Sequence, residues 1–488
     1  MPPSDTVQLY IDGKWRPSRT GGTFEVRSTF SGDVVTTSAS ASLEDCIEAI
    51  ESAHRAQPAW EALGPIGRQE LFFKVAAVME TEEWKESVRQ AMIAETSSTP
   101  PWLAYHVRGG PMVRSWTALV ADLKGETFPS AVPGGNVIVQ RRAHGVVYSV
   151  IPWNGPISLA IRGTVVPAIC GNTVVMRPSE FSPRILATCI EAFHKAGIPP
   201  GVINFIPMSQ QDTPKLTTDI IAHPLVRTIT FTGSDRVGRI IASEAGKYLK
   251  PCIFELGGKA PSIVLDDADI EQCARGLLYG GIINSGQVCM STERVIVQEG
   301  VAQALLAAIK THVASITTGD PKQSAISSLF TEASAKNFIG LLQEAKDAGA
   351  EVIVGDLERD GALVRPHILV GVKKGMRLWK QESFGPVLSV AVADSVEHAI
   401  ELANDTEYSL TSSLWTRDIY RAMDVAARMR AGSVNINGTT INSEPLVGLA
   451  GLGGGSGYGR FDVEHFTDKR VLTLHPPSRE YPGFLPPL

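Results

Sequence analysis

Residues 228–259 read TITFTGSDRVGRIIASEAGKYLKPCIFELGGK, and this stretch decides the fold class. Apolar and β-branched residues fill 228–231 and 252–255, the pattern of two short strands. Between them, 237–249 has the spacing of an amphipathic helix. Strand, helix and strand of these lengths make a βαβ unit, whose strands are parallel because the crossover helix returns the chain to the same end. The alternation extends upstream through strand-like runs at 145–151, 173–176 and 202–206 and a helix at 183–196. An open α/β sheet is therefore expected, with ligands at the carboxyl ends of its strands.

Downstream the alternation resumes. Strands are expected at 294–297, 352–354, 387–392 and 433–437, with helices at 301–313, 332–348 and 396–404, which makes a second α/β domain. The first quarter differs. Residues 8–15 read as a hairpin about Asp12-Gly13, Ser42 can cap a helix over 42–60, and helix is expected over 67–94 and 102–124. Between 127 and 150 lie two β-rich runs with Arg141 and Arg142 between them, either an arm that pairs with a second subunit or an edge hairpin on its own domain. The lone strand at 470–474 has no local partner and can pair with that arm.

Composition narrows the function classes. With 488 residues, 43% hydrophobic and 20% charged, the chain is that of a globular enzyme. Forty-five basic residues against 51 acidic ones give a net charge of −6, which argues against nucleic acid or an anionic membrane as partner. No apolar stretch approaches the roughly 18 residues of a membrane span, and the N-terminus lacks the features of a signal peptide, so a cytoplasmic protein is expected. The six cysteines are scattered without a CxxC pair, and the ten histidines show no HExxH spacing; neither a disulfide framework nor a metal site is expected.

Five short stretches carry polar chemistry. In 280–291, GGIINSGQVCMS, Cys289 stands among small residues that let a ligand approach, as a nucleophile requires; a buried core thiol is the plainer alternative. Gly233 and Gly238 flank a strand-to-helix turn whose N–H groups suit a pyrophosphate, although an ordinary βα turn has the same look. Glu180 follows a strand end, where a carboxylate can grip ribose hydroxyls and repel a 2′-phosphate, or simply start a helix. Asn154 in PWNGP is either a turn residue or a neutral donor for an oxyanion. Glu255 closes an apolar strand, where desolvation disfavours the charged carboxylate and suits a general base; the alternative is an ion pair with Lys259.

Taken in order, PWNGP (152–156), GNTVVMRPSE (171–180), FTGSDRVG (231–238), FELGGKAPSIV (254–264), GQVC (286–289) and ESFGPV (382–387) resemble the NAD(P)-dependent aldehyde dehydrogenase superfamily over nearly the whole chain. The resemblance implies a Rossmann-like cofactor domain (1–125 and 145–257), a catalytic domain (258–460), and an oligomerisation arm with a C-terminal strand (126–144 and 461–488). It implies that Cys289 attacks an aldehyde, that Asn154 and the Cys289 N–H hold the oxyanion, and that Glu255 activates the water that releases a carboxylic acid. NAD is the implied cofactor, against Ile151, Trp153, Arg177, Ser179, Glu180, Gly233, Ser234, Val237, Leu256, Glu382 and Phe384. A homodimer or homotetramer is implied.

Departures from the family pattern point to substrate. Arg177 stands where relatives usually carry lysine, and the two cations are not interchangeable. Arg162, eight residues after Asn154, resembles the arrangement in salicylaldehyde dehydrogenases, where it can orient substrate or stabilise charge; an ion-paired helix residue is the alternative. Gly155 replaces a bulky aromatic, and Trp102 and Tyr105 offer flat rings, so an aromatic aldehyde of the salicylaldehyde, benzaldehyde or vanillin type is expected. The C-terminal signature is altered to Pro445-Leu446-Val447-Gly448 followed by a glycine-rich run, 453–460. A CoA-acylating or aliphatic semialdehyde dehydrogenase and a non-catalytic structural member are the rival readings; Glu255 argues against the first, and Cys289 with Asn154 against the second.

Overall fold

A computed structural model of the protein describes residues 6–442, 444, 447–477, 479, 481 and 483. One sheet has seven strands in the order Cys252–Glu255, Val226–Thr232, Val146–Ile151, Thr173–Pro178, Ile203–Phe205, Leu9–Ile11 and Lys14–Arg16. Its first five strands run parallel and the N-terminal hairpin closes the edge antiparallel. That hairpin turns at Asp12 and Gly13, with φ of 52° and 76°, as an Asp-Gly turn requires. In chain order the strands step one way from Val146–Ile151 and then return to its other side at Val226–Thr232. Such a reversal opens a crevice at the carboxyl ends of the two strands. The register sets Ile151 beside Pro178, Val150 beside Phe231 and Thr232 beside Glu255, so four of the motifs leave the sheet along one edge.

Gly257 and Gly258 carry the chain from that edge into a second seven-stranded sheet. Its order is Glu351–Val354, His367–Val370, Val387–Ala393, Thr292–Gln298, Ala260–Val264, Thr411–Trp415 and Ser433–Ile436. All neighbours are parallel except Glu351–Val354 against His367–Val370, so the strand expected at 352–354 belongs to an antiparallel edge instead of the parallel series. Three strands of this sheet were not legible as strands. Ala260–Val264 contains a proline, Thr411–Trp415 contains two serines, and His367–Val370 has only four residues.

The helical first quarter is more broken than its periodicity implies. Leu43–Ala62 is capped by Ser42, as its sequence predicts, and Asp45 returns the contact to complete a capping box. The helix expected over 67–94 divides into Gly64–Met79 and Glu82–Thr96 because Thr81 caps a new N-terminus at Trp84. That expected over 102–124 becomes Pro100–His106, Gly109–Thr117 and a 3-10 turn, Ala118–Asp122, interrupted where Gly109, Gly110 and Pro111 follow Arg108.

The arm also differs in detail. Its hairpin joins Glu126–Pro129 to Asn136–Ala143, and Arg141 and Arg142 lie within the second strand, not between two strands. They are held there by Glu464 and Glu61, and the chain changes sheet only at Gly145, φ 126°. Thr467–Leu474 pairs antiparallel with Asn136–Ala143 over eight residues, so the lone C-terminal strand has found the arm. Among the described residues, no helix is long and apolar enough to cross a membrane.

The glycine-rich C-terminal run has a structural use. Phe254 donates to Tyr458 O, Leu256 to Ser456 O and Gly257 to Gly455 O, so the run covers the free edge of Cys252–Glu255. Gly457, at φ 78°, lies so close that a Cβ would stand 2.3 Å from Phe254 O. Pro445 and Leu446, part of the altered signature, lie outside the described residues.

Candidate active site

The loop bearing Cys289 leaves helix Ile270–Ile282 through three successive left-handed residues: Asn284 (φ 52°), Ser285 (φ 56°) and Gly286 (φ 73°). Such a backbone costs about 1 kcal/mol or more at each non-glycine residue and needs its surroundings to hold it. Ser285 Oγ donates to Ser327 O and accepts from Ser327 N–H, Gln287 Nε2 donates to Asn284 O, and Gln287 Oε1 accepts from Phe330 N–H. Ahead of Thr292–Gln298, the loop meets Gly258 at the start of the neighbouring strand. A Cβ on Gly258 would stand 1.9 Å from Cys289 O, so only glycine fits. A Gly258→Ala variant is predicted to lose about 2–4 kcal/mol of stability and at least about tenfold in kcat, because Cys289 must move. Unchanged thermal midpoint and turnover would contradict this packing.

Cys289 opens into a cavity of about 390 Å³ that also receives Asn154, Gly155, Arg162, Glu255, Trp102 and Tyr105. Residues drawn from both sheets and from the first-quarter helices are thus brought together. Asn154 is fixed through its carbonyl, which accepts from Trp102 Nε1 at 2.9 Å and Asn284 Nδ2 at 3.3 Å. Its own Nδ2 donates to Gln287 O at 3.1 Å, and an amide has a second N–H to offer. Trp102 stacks on Tyr105 with ring centroids 5.6 Å apart, and Trp116 and Tyr279 complete four aromatic rings around the space. Gly155 lines the same space, with a Cβ there approaching Leu159 at 3.2 Å.

Arg162 and Glu255 form an ion pair with side chains 8% and 4% exposed. Arg162 also donates to Thr232 Oγ1 at 3.1 Å and lies over the Phe461 ring at 4.4 Å. Glu255 thus faces a buried guanidinium across the cavity, a partner that its sequence context did not indicate. Lys259, the alternative partner of Glu255, instead pairs with Glu293, which Ser383 N–H also contacts at 3.0 Å. Burial pushes the Cys289 thiol above its usual range, Glu255 and Glu382 add to that shift, and Arg162 opposes it.

The remaining predicted residues lie outside the cavity, around the strand-end crevice or on the nucleophile's flank. Arg177, at the end of Thr173–Pro178, pairs with Glu180 at 2.7 Å and donates to Thr213 at 3.0 Å; its buried Nε has no partner among the described residues. Ser179 is buried beside them, and Ile151 closes the adjacent strand. Gly233 and Ser234 form the turn before helix Asp235–Lys247, on which Val237 is half-buried and Gly238 packs against Leu256. Trp153 stacks flat on Phe330, centroids 3.9 Å apart, with Phe384 edge-on at 6.0 Å. Glu382 accepts from Gly258 N–H at 2.8 Å, and burial and Glu293 push its pKa up to about 8.

Sequence reasoning missed Phe330, Arg108, Trp116 and Tyr279. Arg108 follows Trp102 and Tyr105 at intervals of three, a spacing that could have revealed it. Phe330 and Tyr279 carry no such signal, because only tertiary packing brings them here.

The profile of the aldehyde dehydrogenase family matches residues 15–472. The chain is 38% identical over 482 residues to a vanillin dehydrogenase of Pseudomonas fluorescens, covering 98% of this chain and 99% of that one. It is 38% identical over 484 residues to a salicylaldehyde dehydrogenase of Pseudomonas sp. (strain C18), with 98% and 99% covered. The crystal structure of a salicylaldehyde dehydrogenase from Pseudomonas putida G7, complexed with salicylaldehyde, superposes with a TM-score of 0.95 at 36% identity, covering 98% of this chain and 100% of that one.

Proposed function

The chain belongs to the aldehyde dehydrogenase family, an oxidoreductase family dependent on NAD(P), and we propose that it oxidises aromatic aldehydes to carboxylic acids with NAD. The observation that carries the substrate class is the four-ring wall of the Cys289 cavity, of Trp102, Tyr105, Trp116 and Tyr279. Flat rings bury a flat substrate with little empty space. The names of the relatives, vanillin and salicylaldehyde dehydrogenases, support the same reading.

In this reading Cys289 Sγ, its proton released to solvent, attacks the carbonyl carbon as the thiolate. The resulting oxyanion takes hydrogen bonds from Asn154 Nδ2 and the Cys289 N–H. NAD, held by the residues of the strand-end crevice, would accept hydride from the carbon bonded to Sγ, leaving Cys289 as a thioester. Glu255 then takes a proton from water as that water attacks the thioester carbon; the C–S bond breaks, the acid leaves and Sγ takes up a proton. Arg162 pairs with Glu255 and so positions its carboxylate within the cavity for that step. Free acid, rather than an acyl-CoA, is the product because this base is present.

The cofactor fits the crevice at the strand ends. The partnerless Nε of Arg177, the Glu180 carboxylate and the Ser179 hydroxyl make a donor-and-acceptor set suited to ribose hydroxyls, with Ile151, Gly233, Ser234, Val237 and Leu256 around it. Trp153, Glu382 and Phe384 would hold the nicotinamide end. Glu180 neutralises Arg177, so the pair offers no surplus positive charge for a 2′-phosphate, and NAD is favoured over NADP. We assign 1–125 and 145–257 to cofactor binding, 258–460 to the nucleophile, and 126–144 with 461–488 to a homodimer or homotetramer interface. Exposed Phe128, Val471 and Leu474 on the arm support the last assignment, and six unpaired thiols support a cytoplasmic protein.

With NAD, kcat/KM for benzaldehyde, salicylaldehyde and vanillin is expected to exceed that for acetaldehyde and propanal by at least about tenfold, and NAD to exceed NADP by a similar factor. Equal or better use of the short aliphatic aldehydes would overturn the aromatic reading. A preference for NADP would overturn the role given to Glu180.

A further inference from the structure

The mouth of the Cys289 cavity carries a positive charge that the protein leaves unneutralised. Outward from the buried Arg162, Glu255 and Trp102, the lining passes to the exposed Tyr105, Tyr279 and Arg108. Arg108 stands at the break between Pro100–His106 and Gly109–Thr117, as the N-cap residue of the second helix, which opens on a glycine pair. Among the described residues, no carboxylate pairs with its guanidinium and no side-chain hydrogen bond holds it. Nearby Arg114, by contrast, is paired with Glu80 at 3.0 Å. The deeper cation, Arg162, is matched by Glu255. The charge of Arg108 is felt within the wall, where with Arg162 it opposes the effect of burial on the Tyr105 phenol.

A ring whose formyl carbon meets Cys289 at the floor points its far side at this mouth. We propose that Arg108 is a specificity-determining residue that recognises an anionic oxygen group, a carboxylate, on the ring remote from the formyl group. The proposal rests on the aromatic reading above and adds to it the charge of the substrate. A guanidinium offers a fork of N–H donors that matches a carboxylate, and here none of them is engaged by another side chain. Solvent at the mouth weakens the pairing, so the effect is moderate and depends on salt.

The test compares 4-formylbenzoate with its neutral isostere 4-formylbenzamide, with benzaldehyde as reference. In the unmodified enzyme the ratio of kcat/KM for the acid over the amide is expected to be about fivefold to tenfold, carried by KM, and to shrink as salt is raised. In Arg108→Gln the ratio falls to about one, and Arg108→Lys keeps an intermediate value. Oxidation of benzaldehyde with no preference for the acid, or an equal preference in Arg108→Gln, would overturn the role of Arg108 and leave the aromatic reading standing. Failure to oxidise any of the three, with short aliphatic aldehydes oxidised, would overturn the aromatic reading and this proposal with it.

Discussion

A Glu255→Gln variant, mixed with NAD and benzaldehyde, is expected to release about one equivalent of NADH per active site and then to stall. The carboxylate in the cavity is the group placed to take a proton from the hydrolytic water, and a carboxamide cannot accept it. Steady-state turnover should fall by about 10²–10⁴-fold, the usual worth of general-base catalysis. Glutamine keeps an oxygen for Arg162, which is also held by Thr232 and by the Phe461 ring, so the buried guanidinium is not left without support. The burst separates the two halves of the reaction. Loss of the burst together with turnover would mean that Glu255 is also indispensable for thiol attack; full steady-state turnover would remove it from hydrolysis.

The second large effect concerns the nucleophile. Cys289→Ala is expected to lose at least about 10⁴-fold in aldehyde-dependent NADH formation while its thermal midpoint moves by no more than about 3 °C. The side chain is half-buried, and the loop is held by Ser285, Gln287 and Gly258, not by the sulfur. NADH formation within tenfold of the unmodified enzyme would show that another group attacks the aldehyde.

The parts legible in the sequence were those written locally. Strand-end residues such as Glu255 and Asn154 sit beside apolar runs that betray their strands, and the parallel register then collects them along one edge without further information. Cys289 was marked by its small neighbours, whose left-handed backbone the structure explains. What escaped depends on distant contacts. Nothing near Lys259 indicates that its partner is Glu293 and not Glu255, and nothing near Arg162 selects Glu255, 93 residues away, as its counter-ion. Helix periodicity continued through Arg108, where one helix in fact ends and a second begins with two glycines and a proline. The extra glycines at 453–459 became intelligible only when the run was found against the edge strand, where a side chain at Gly457 has no room.

The central claim is that Cys289 carries the acyl group that Glu255 helps to remove. Intact-protein and peptide mass spectrometry of Glu255→Gln, quenched in acid after the burst with NAD and benzaldehyde, tests it directly. The predicted result is one benzoyl group per chain, on the peptide containing Cys289 and absent from Glu255→Gln/Cys289→Ala. NADH formed with no benzoyl group retained, or a benzoyl group on another residue, would contradict it.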